Sequence, residues 1–258
     1  MKQKSIKEIV EEINQYLKIQ EVEASPYNED ERKGVQNALS KRIKQLEKIE
    51  QLHLKYIQMN QYEKQVLDLN KDAVICGIDE VGRGPLAGPV VASAVILEQD
   101  HQYLGITDSK ALSQAKRSYF EQEIYNRARA VGIGIATVEE IDELNIYEAT
   151  KVAMQRAIDQ LSIKPDHLLI DAMKLDNGIP QTSIIKGDLN SVSIAAASVI
   201  AKEYRDKLMS QYHIEYPGYD FDKNKGYGTK SHLEGLENYG ITPIHRKTFE
   251  PIKSKVKY

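Results

Sequence analysis

The sequence predicts an α/β protein in which a mixed central sheet is flanked by helices and preceded by an all-helical N-terminal extension. From about residue 71, short apolar runs bounded by Gly and Pro alternate with segments of helical periodicity, as in proteins built on one sheet. Residues 1–70 contain a single glycine, Gly34, and a single proline, Pro26, and show only helical periodicity. We therefore predict two domains, a helical extension at 1–70 and a larger domain at 71–258 that ends in a helical region.

The extension reads as two helices. Apolar residues recur at helical spacing over residues 5–19, and again over residues 30–69 after the break at Pro26. The second helix carries five basic side chains, which allows a substrate-handling role: Lys41, Arg42, Lys44, Lys48 and Lys55. Glutamates interleave with them, which favours an ordinary solvated surface on a helical region that packs on the main domain or on a second copy.

The main domain reads as five strands and two long helices. Apolar runs with β-branched residues predict strands at 74–81, 90–97, 132–137, 167–172 and 183–186. Helical periodicity predicts helices at 146–161 and 190–212, the second very rich in alanine at its start.

The composition limits the class of protein. The chain has 258 residues, of which 41% are hydrophobic and 28% charged, as in soluble globular proteins. Its single cysteine, Cys76, allows neither a disulfide framework nor a cysteine zinc site. No apolar stretch approaches the ~20 residues of a membrane span, and the N-terminus lacks a signal peptide pattern. We expect a cytoplasmic protein. The net charge of −3 by itself argues weakly against nucleic-acid binding.

Two adjacent acids, Asp79 and Glu80, end the first predicted strand. Neighbouring side chains of a strand point to opposite faces, so one acid faces the sheet surface and the other reaches around the strand end. Two acids this close repel each other unless a positive group, usually a divalent metal, lies between them. The alternative is a solvated acidic pair at a turn.

Two further acids stand at the ends of other strands. Asp171 closes an apolar run, and Asp188 follows another just before a helix, where it could also act as the helix cap. Four carboxylates without histidine or cysteine suit the hard cations Mg²⁺ or Mn²⁺ rather than zinc. Two such ions activate water and stabilise the leaving oxygen in phosphodiester hydrolysis.

Residues 77–91, Gly-Ile-Asp-Glu-Val-Gly-Arg-Gly-Pro-Leu-Ala-Gly-Pro-Val-Val, resemble the signature of type 2 ribonuclease H (ribonuclease HII), in its bacterial form with an N-terminal helical extension. Further blocks follow in the family's order: Asp108-Ser109-Lys110, Asp171, Lys186-Gly187-Asp188, residues 193–198 with Ala201-Lys202, Arg205-Asp206, residues 226–229 with His232, and His245-Arg246 with Phe249. The resemblance covers about residues 74–252. One departure is Ala172, where many members have glycine.

The resemblance implies a ribonuclease H-like fold and a catalytic domain at 71–258. It implies an endoribonuclease that hydrolyses the RNA strand of RNA–DNA hybrids. Such an enzyme also cuts on the 5′ side of ribonucleotides embedded in DNA, leaving 3′-hydroxyl and 5′-phosphate ends. Asp79, Glu80, Asp171 and Asp188 match the catalytic, metal-binding carboxylates of the family. We expect a monomer whose partner is the nucleic acid duplex.

The resemblance also assigns nucleic-acid-binding residues. Gly82, Arg83 and Gly84 match the loop that recognises the ribose, since glycines let main-chain groups approach the 2′-hydroxyl. Tyr227 matches the tyrosine that packs against the neighbouring deoxyribose. Three lysines match basic positions near the substrate, where phosphate contacts are expected: Lys110, Lys186 and Lys202.

Other functions remain as alternatives. The glycines of residues 82–88 imitate a dinucleotide-binding loop, but Pro85 and Pro89 stand where its helix would begin. A junction resolvase would cut all-DNA substrates, which the loop and Tyr227 disfavour. A non-catalytic hybrid-binding protein would not need a carboxylate cluster, because that cluster repels phosphate without metal.

Overall fold

The computed structural model describes residues 4–255, which form two compact units, one up to Ile57 and one from Gln58. The predicted domain division at residue 70 stays a prediction. None of the helices within residues 4–255 is both long enough and apolar enough to cross a bilayer.

The first unit is helical. It contains α1 (Ile6–Ile13), α2 (Ile19–Glu23), a 3₁₀ helix (Pro26–Glu29) and most of α3 (Lys33–Met59). The helix predicted over 5–19 ends at Ile13, and the helix predicted over 30–69 breaks at Asn60, after which α4 (Gln61–Leu69) follows in the second unit. Ser5 explains the start of α1, because its side chain accepts from the Glu8 N–H in a capping box.

The second unit is built on a five-stranded mixed sheet, as predicted. Its strands are β1 (Ile75–Val81), β2 (Val90–Ile96), β3 (Ala130–Ala136), β4 (His167–Asp171) and β5 (Gln181–Ile184). The order across the sheet is β3-β2-β1-β4-β5. β2 is antiparallel to both β1 and β3, whereas β1, β4 and β5 are parallel. The last strand lies slightly before the predicted residues 183–186.

Helices connect and flank the strands. In chain order they are α5 (Gln114–Arg127), α6 (Val138–Leu144), α7 (Ile146–Asp159), α8 (Gly187–Asn190), α9 (Val192–Glu215), α10 (Phe221–Asn224), α11 (Lys230–Tyr239) and α12 (Ile252–Lys255). The long helices α7 and α9 were predicted from their periodicity. The more polar α5 and the helices after α9 were not predicted individually.

The two long helices cover opposite faces of the sheet. Cys76 and Ile78 of β1 are fully buried in a core that includes Ala153 and Met154 of α7. Alternation of side chains therefore turns Gly77 and Asp79 to the other face, where α9 lies. Gly77 permits this close packing, because a Cβ at this position would lie 2.1 Å from the Ser193 carbonyl carbon.

Candidate active site

The four predicted acids lie near one end of the sheet. The parallel register pairs Ile78 of β1 with Ile170 of β4, so Asp79 and Asp171 both follow at the same strand end. Glu80 follows Asp79 on β1, and Asp188 lies in the first turn of α8. The charge of Asp171 acts on each of the other three carboxyl groups, so all three lie within electrostatic range of Asp171.

Asp79 is the most buried of these acids, with only 5% of its surface exposed. Its Oδ1 accepts a hydrogen bond from the Glu80 N–H at 2.8 Å, and the Ser198 hydroxyl of α9 also donates to its carboxylate. Burial raises the pKa of Asp79 well above its usual range, and the negative charges of Glu80 and Asp171 raise it further. A nearby cation would therefore stabilise the ionised form of the Asp79 carboxyl group.

Glu80 points to the other side of β1. Burial is the main cause that raises its pKa, opposed by the positive charge of Arg83, whose Nη1 lies 3.4 Å from Glu80 Oε1. The second carboxylate oxygen, Oε2, is buried and has no hydrogen-bond partner. An unpaired buried oxygen of this kind is costly unless a ligand or ion satisfies it.

Asp171 and Asp188 are linked through the backbone of α8. Asp171 Oδ1 accepts from the Gly187 N–H at 2.6 Å. Lys186 starts this turn in the left-handed conformation, with φ at 54°, and α8 then presents Asp188. Burial raises the pKa of Asp188 to about 6, and the neighbouring carboxyl groups of Asp108 and Asp171 add to this effect.

The donor set fits a hard divalent cation. It consists of carboxylate oxygens only, carries net negative charge, and includes the orphaned oxygen of Glu80. Within residues 4–255, no three acidic, histidine or cysteine side chains are arranged so that they could hold a metal ion as they stand.

The predicted sugar-recognition residues lie beside this acidic end, in the loop between β1 and β2 (residues 82–89, the β1–β2 loop). Gly82 has a φ of 95°, which favours glycine, while Arg83 and Gly84 are exposed. A Cβ on Gly84 would lie 3.5 Å from Tyr227 Cε1, so the structure brings the loop and the tyrosine together. Tyr227 is 45% exposed.

The three predicted lysines have different surroundings. Lys110 and Lys186 are exposed, and the charge of Lys110 acts on Glu80 and Asp188. Lys202 is largely buried on α9 and forms an ion pair with Asp206 at 2.8 Å. A phosphate would have to compete with Asp206 for this ammonium group.

Three site residues were missed by sequence reasoning. Asp108 bonds to the Asp188 side chain, and the Ser109 and Ser198 hydroxyls lie 2.8 Å apart beside Asp79. The Asp108-Ser109-Lys110 block was visible in the sequence, but no role was attached to its acid. Ser198 stands in an alanine-rich helix, where a small side chain is expected to serve close packing rather than chemistry.

Comparisons with known proteins agree on one family. A family model described as Ribonuclease HII matches residues 76–252, and one described as Ribonuclease HII N-terminal domain matches residues 5–67. A ribonuclease HII of Staphylococcus saprophyticus is 58% identical over 252 residues, which cover 98% of each chain. One of Staphylococcus aureus is 56% identical over 250 residues, covering 97% of this chain and 98% of its own.

A solved structure shares the fold. The chain is similar to the ribonuclease HII of Archaeoglobus fulgidus, solved in a complex with PCNA, with a TM-score of 0.60 and 25% identity. The similarity covers 69% of this chain and 95% of that one. Because the family model spans most of the chain and the bacterial relatives match nearly all of it, the chain belongs to the ribonuclease HII family of metal-dependent nucleases that hydrolyse phosphodiester bonds.

Proposed function

We propose that the protein cuts on the 5′ side of ribonucleotides embedded in duplex DNA, in addition to hydrolysing the RNA strand of RNA–DNA hybrids. Family membership supports the hybrid activity. The observation that carries the proposal is the set of four electrostatically interacting carboxyl groups next to the exposed β1–β2 loop, whose Gly84 lies against Tyr227. Such a set suits hydrolysis of a phosphodiester bond next to a loop that recognises the ribose.

We propose that Asp79, Glu80, Asp171 and Asp188 hold Mg²⁺ or Mn²⁺. The chemistry that two such ions supply is activation of the attacking water and neutralisation of charge on the leaving 3′-oxygen. Burial shields the Asp79 carboxylate from solvent, and the Ser198 hydroxyl of α9 orients it through a hydrogen bond. Arg83, which lies close to Glu80 and is exposed, supports contact with a substrate phosphate.

The substrate discrimination is proposed to lie in the β1–β2 loop and Tyr227. Main-chain groups of Gly82, Arg83 and Gly84 meet the 2′-hydroxyl, and the Tyr227 ring packs on the next sugar. Lys110 and Lys186 supply exposed positive charge near the acids for the phosphate backbone. The monomeric state and the cytoplasmic location stay predictions.

The test compares three duplexes of one sequence: all-DNA, DNA with one ribonucleotide, and a full RNA–DNA hybrid, each with and without chelator. We expect cleavage of the last two only, with Mg²⁺ or Mn²⁺ present and 3′-hydroxyl ends. Asp79→Asn and Asp171→Asn should lower the cleavage rate by at least about a thousandfold, an expectation based on loss of charge stabilisation in the transition state.

The matched control is Asp72→Asn, the same chemical change at an exposed position before β1. It should leave the rate unchanged. Asp79→Asn should also not lower the melting temperature in chelator, because the raised pKa of Asp79 means that its charge opposes folding. A near-normal rate for Asp79→Asn with Mg²⁺ would overturn the site, and cutting of the all-DNA duplex would favour a resolvase.

A further inference from the structure

Two buried arginines hold the β1–β2 loop by its carbonyl groups. Arg246, which precedes α12 and is fully buried, donates from Nη1 to the Arg83 carbonyl at 2.8 Å and from Nη2 to the Gly82 carbonyl. It also donates to the Gly88 carbonyl from Nε and Nη2, at 3.0 and 2.7 Å. Arg205 of α9 donates to the carbonyls at the other end of the loop: Ala87 at 3.1 Å and Pro89 at 3.0 Å, together with Lys225 at 2.8 Å.

Neither arginine has the partner that a buried charge usually has. Among residues 4–255, no carboxylate forms a salt bridge with either guanidinium, and carbonyl dipoles supply the hydrogen bonds instead. Burial lowers the pKa of Arg246 to about 9, and repulsion from Arg205 contributes. An uncompensated buried charge is expensive for folding, so its bonds to the loop call for a reason beyond stability.

Because the peptide bond is planar, these carbonyl contacts also fix the direction of the N–H groups of Arg83 and Gly84. In a trans peptide the carbonyl oxygen and the following N–H point in opposite directions. Because the Gly82 and Arg83 carbonyls point inward to Arg246, the N–H groups of Arg83 and Gly84 point away from it. Residues 83 and 84 are exposed, and Gly84 lies against Tyr227, so the two N–H groups lie on the outer side of the loop, next to Tyr227.

The hydrogen bonds within the protein also leave these two N–H groups unused. Farther along the loop, the N–H groups of Leu86 and Ala87 donate to the Gly226 carbonyl, and that of Gly88 donates to the Ile244 carbonyl. Within the described part of the chain, the Arg83 and Gly84 N–H groups donate to no protein acceptor. The loop thus presents two oriented donors side by side at an exposed surface.

We propose that Arg246 is a positioning residue for sugar discrimination, which fixes the Arg83 and Gly84 N–H groups in the direction of the 2′-hydroxyl. The inference rests on the proposed function, in which this loop meets the ribose. Arginine is required because its planar guanidinium donates in several fixed directions at once, whereas a lysine ammonium acts as a compact point charge. Phe249 supports the plane, with its ring centre 4.9 Å from Arg246 Cζ.

The experiment measures affinity in an Asp79→Asn parent, so that substrate is not consumed. Fluorescence anisotropy gives the dissociation constants for two duplexes that differ only in one 2′-hydroxyl, and their ratio is the readout. The parent should prefer the ribonucleotide. Adding Arg246→Lys should reduce the preference by up to about tenfold, the scale of one or two lost hydrogen bonds.

Arg156→Lys is the control, because it makes the same chemical change at an arginine that donates to the Ile135 carbonyl and pairs with Glu140, outside the β1–β2 loop. Both variants remove guanidinium hydrogen bonds, yet Arg156→Lys should keep the preference within about twofold of the parent. A parent without preference would overturn ribose recognition itself. A parent with preference that Arg246→Lys retains would overturn the role of Arg246 alone.

Amide hydrogen exchange in the parent tests the same inference if Arg246→Lys does not fold. The Arg83 and Gly84 amides should exchange fast in the free protein and become protected by the ribonucleotide duplex but not by the all-DNA duplex. The Gly88 amide should be protected throughout, since it is bonded to Ile244. Equal protection of Arg83 and Gly84 by both duplexes would contradict the proposal.

Discussion

Asp79 is an acidic side chain that folding alone would not place inside the protein. It is almost fully buried, and its pKa is raised by burial and by two neighbouring acids. A chain selected for stability alone would carry an amide or an apolar group here, because removing an uncompensated buried charge is commonly stabilising. The position is therefore explained by chemistry that the carboxylate performs when a cation is present.

Two buried histidines, His232 and His245, form a chain of hydrogen bonds that ends at the Tyr227 carbonyl. The Thr242 N–H donates to His245 Nδ1 at 2.8 Å, which makes that nitrogen an acceptor and leaves the proton of the neutral ring on Nε2. His245 Nε2 then donates to His232 Nε2 at 2.9 Å, and His232 Nδ1 donates to the Tyr227 carbonyl at 2.9 Å. Only the neutral form of both rings satisfies this chain of hydrogen bonds.

The pair predicts a loss of stability in acid. Burial lowers the pKa of His245 to about 4, and the neighbouring His232 contributes. The unfolded chain thus binds a proton more readily than the folded one, and stability falls as the pH drops from about 6.5 towards 4. Chemical denaturation over this pH range should show a shallower decline for His245→Gln than for the wild type, because the buried His232 remains in the variant. Parallel profiles would contradict the assignment.

The elements of the fold were predictable wherever their pattern is local. Periodicity and Gly or Pro boundaries gave all five strands and the two long helices that cover the sheet. The break at Asn60 was not predictable, because neither glycine nor proline marks it and the apolar stripe continues through it. Helix α5 was missed for the opposite reason, since only Phe120 and Ile124 are buried in an otherwise polar segment.

The packing of β1 against α9 depends on one glycine. A Cβ on Gly77 would lie 2.2 Å from the Ser193 carbonyl oxygen, which is backbone and has no freedom to move aside. Gly77→Ala should therefore push α9 outward and lower the free energy of unfolding by about 1–3 kcal/mol or more. Thermal unfolding measures the change.

Gly34→Ala is the control for this prediction. The added Cβ meets only the Ile6 side chain, which can rotate, and alanine loses less conformational entropy than glycine when the first turn of α3 forms. We expect little change or a small gain. Because α9 carries Ser198, Gly77→Ala should also reduce cleavage, and unchanged stability would show that the sheet and helix separate without cost.

On the scale of the whole molecule, the site was predictable in part. Each of the four acids was predicted at the end of a strand or just before a helix, and these positions can be recognised from the neighbouring residues in the sequence. The support of the β1–β2 loop by Arg205 and Arg246 joins segments far apart in the chain, and no local pattern indicates it. Family resemblance pointed to these arginines as matching positions without giving their contacts.

Helix α4 lies in the second compact unit and within the residues predicted to form the extension. Glu63 is 5% exposed, and its Oε1 accepts from the Ser191 hydroxyl at 2.6 Å and from the Ser193 N–H at 3.0 Å. It therefore satisfies donors at the start of α9, where negative charge is favourable. Tyr62 and Val66 of the same helix pack against Leu169 and Ile194.

This arrangement predicts different outcomes for two truncations. A chain that begins at Gln58 should keep the melting temperature of the second unit, whereas one that begins at Lys71 should lose about 1–2 kcal/mol from the missing cap and more from packing. Glu63→Ala in the full chain isolates the cap. Equal melting temperatures for the two truncations would contradict the role of α4.

The first truncation also tests the substrate-handling interpretation of the extension. Arg42 already donates to the Tyr16 carbonyl, so part of its basic surface serves the fold. If the lysines of α3 contact phosphates, removing residues up to Ile57 should weaken hybrid binding and flatten its salt dependence. An unchanged affinity and slope would identify an ordinary solvated surface.

Cys76 is the only cysteine of the chain and is fully buried in β1, where burial raises the pKa of its thiol. Reagents that need an accessible thiolate will therefore not react with Cys76 in the folded molecule and will modify it only when the central strand opens. The rate of that modification therefore reports how often the sheet opens. For the same reason, a cysteine introduced on the surface can carry a fluorophore selectively without prior removal of the native residue.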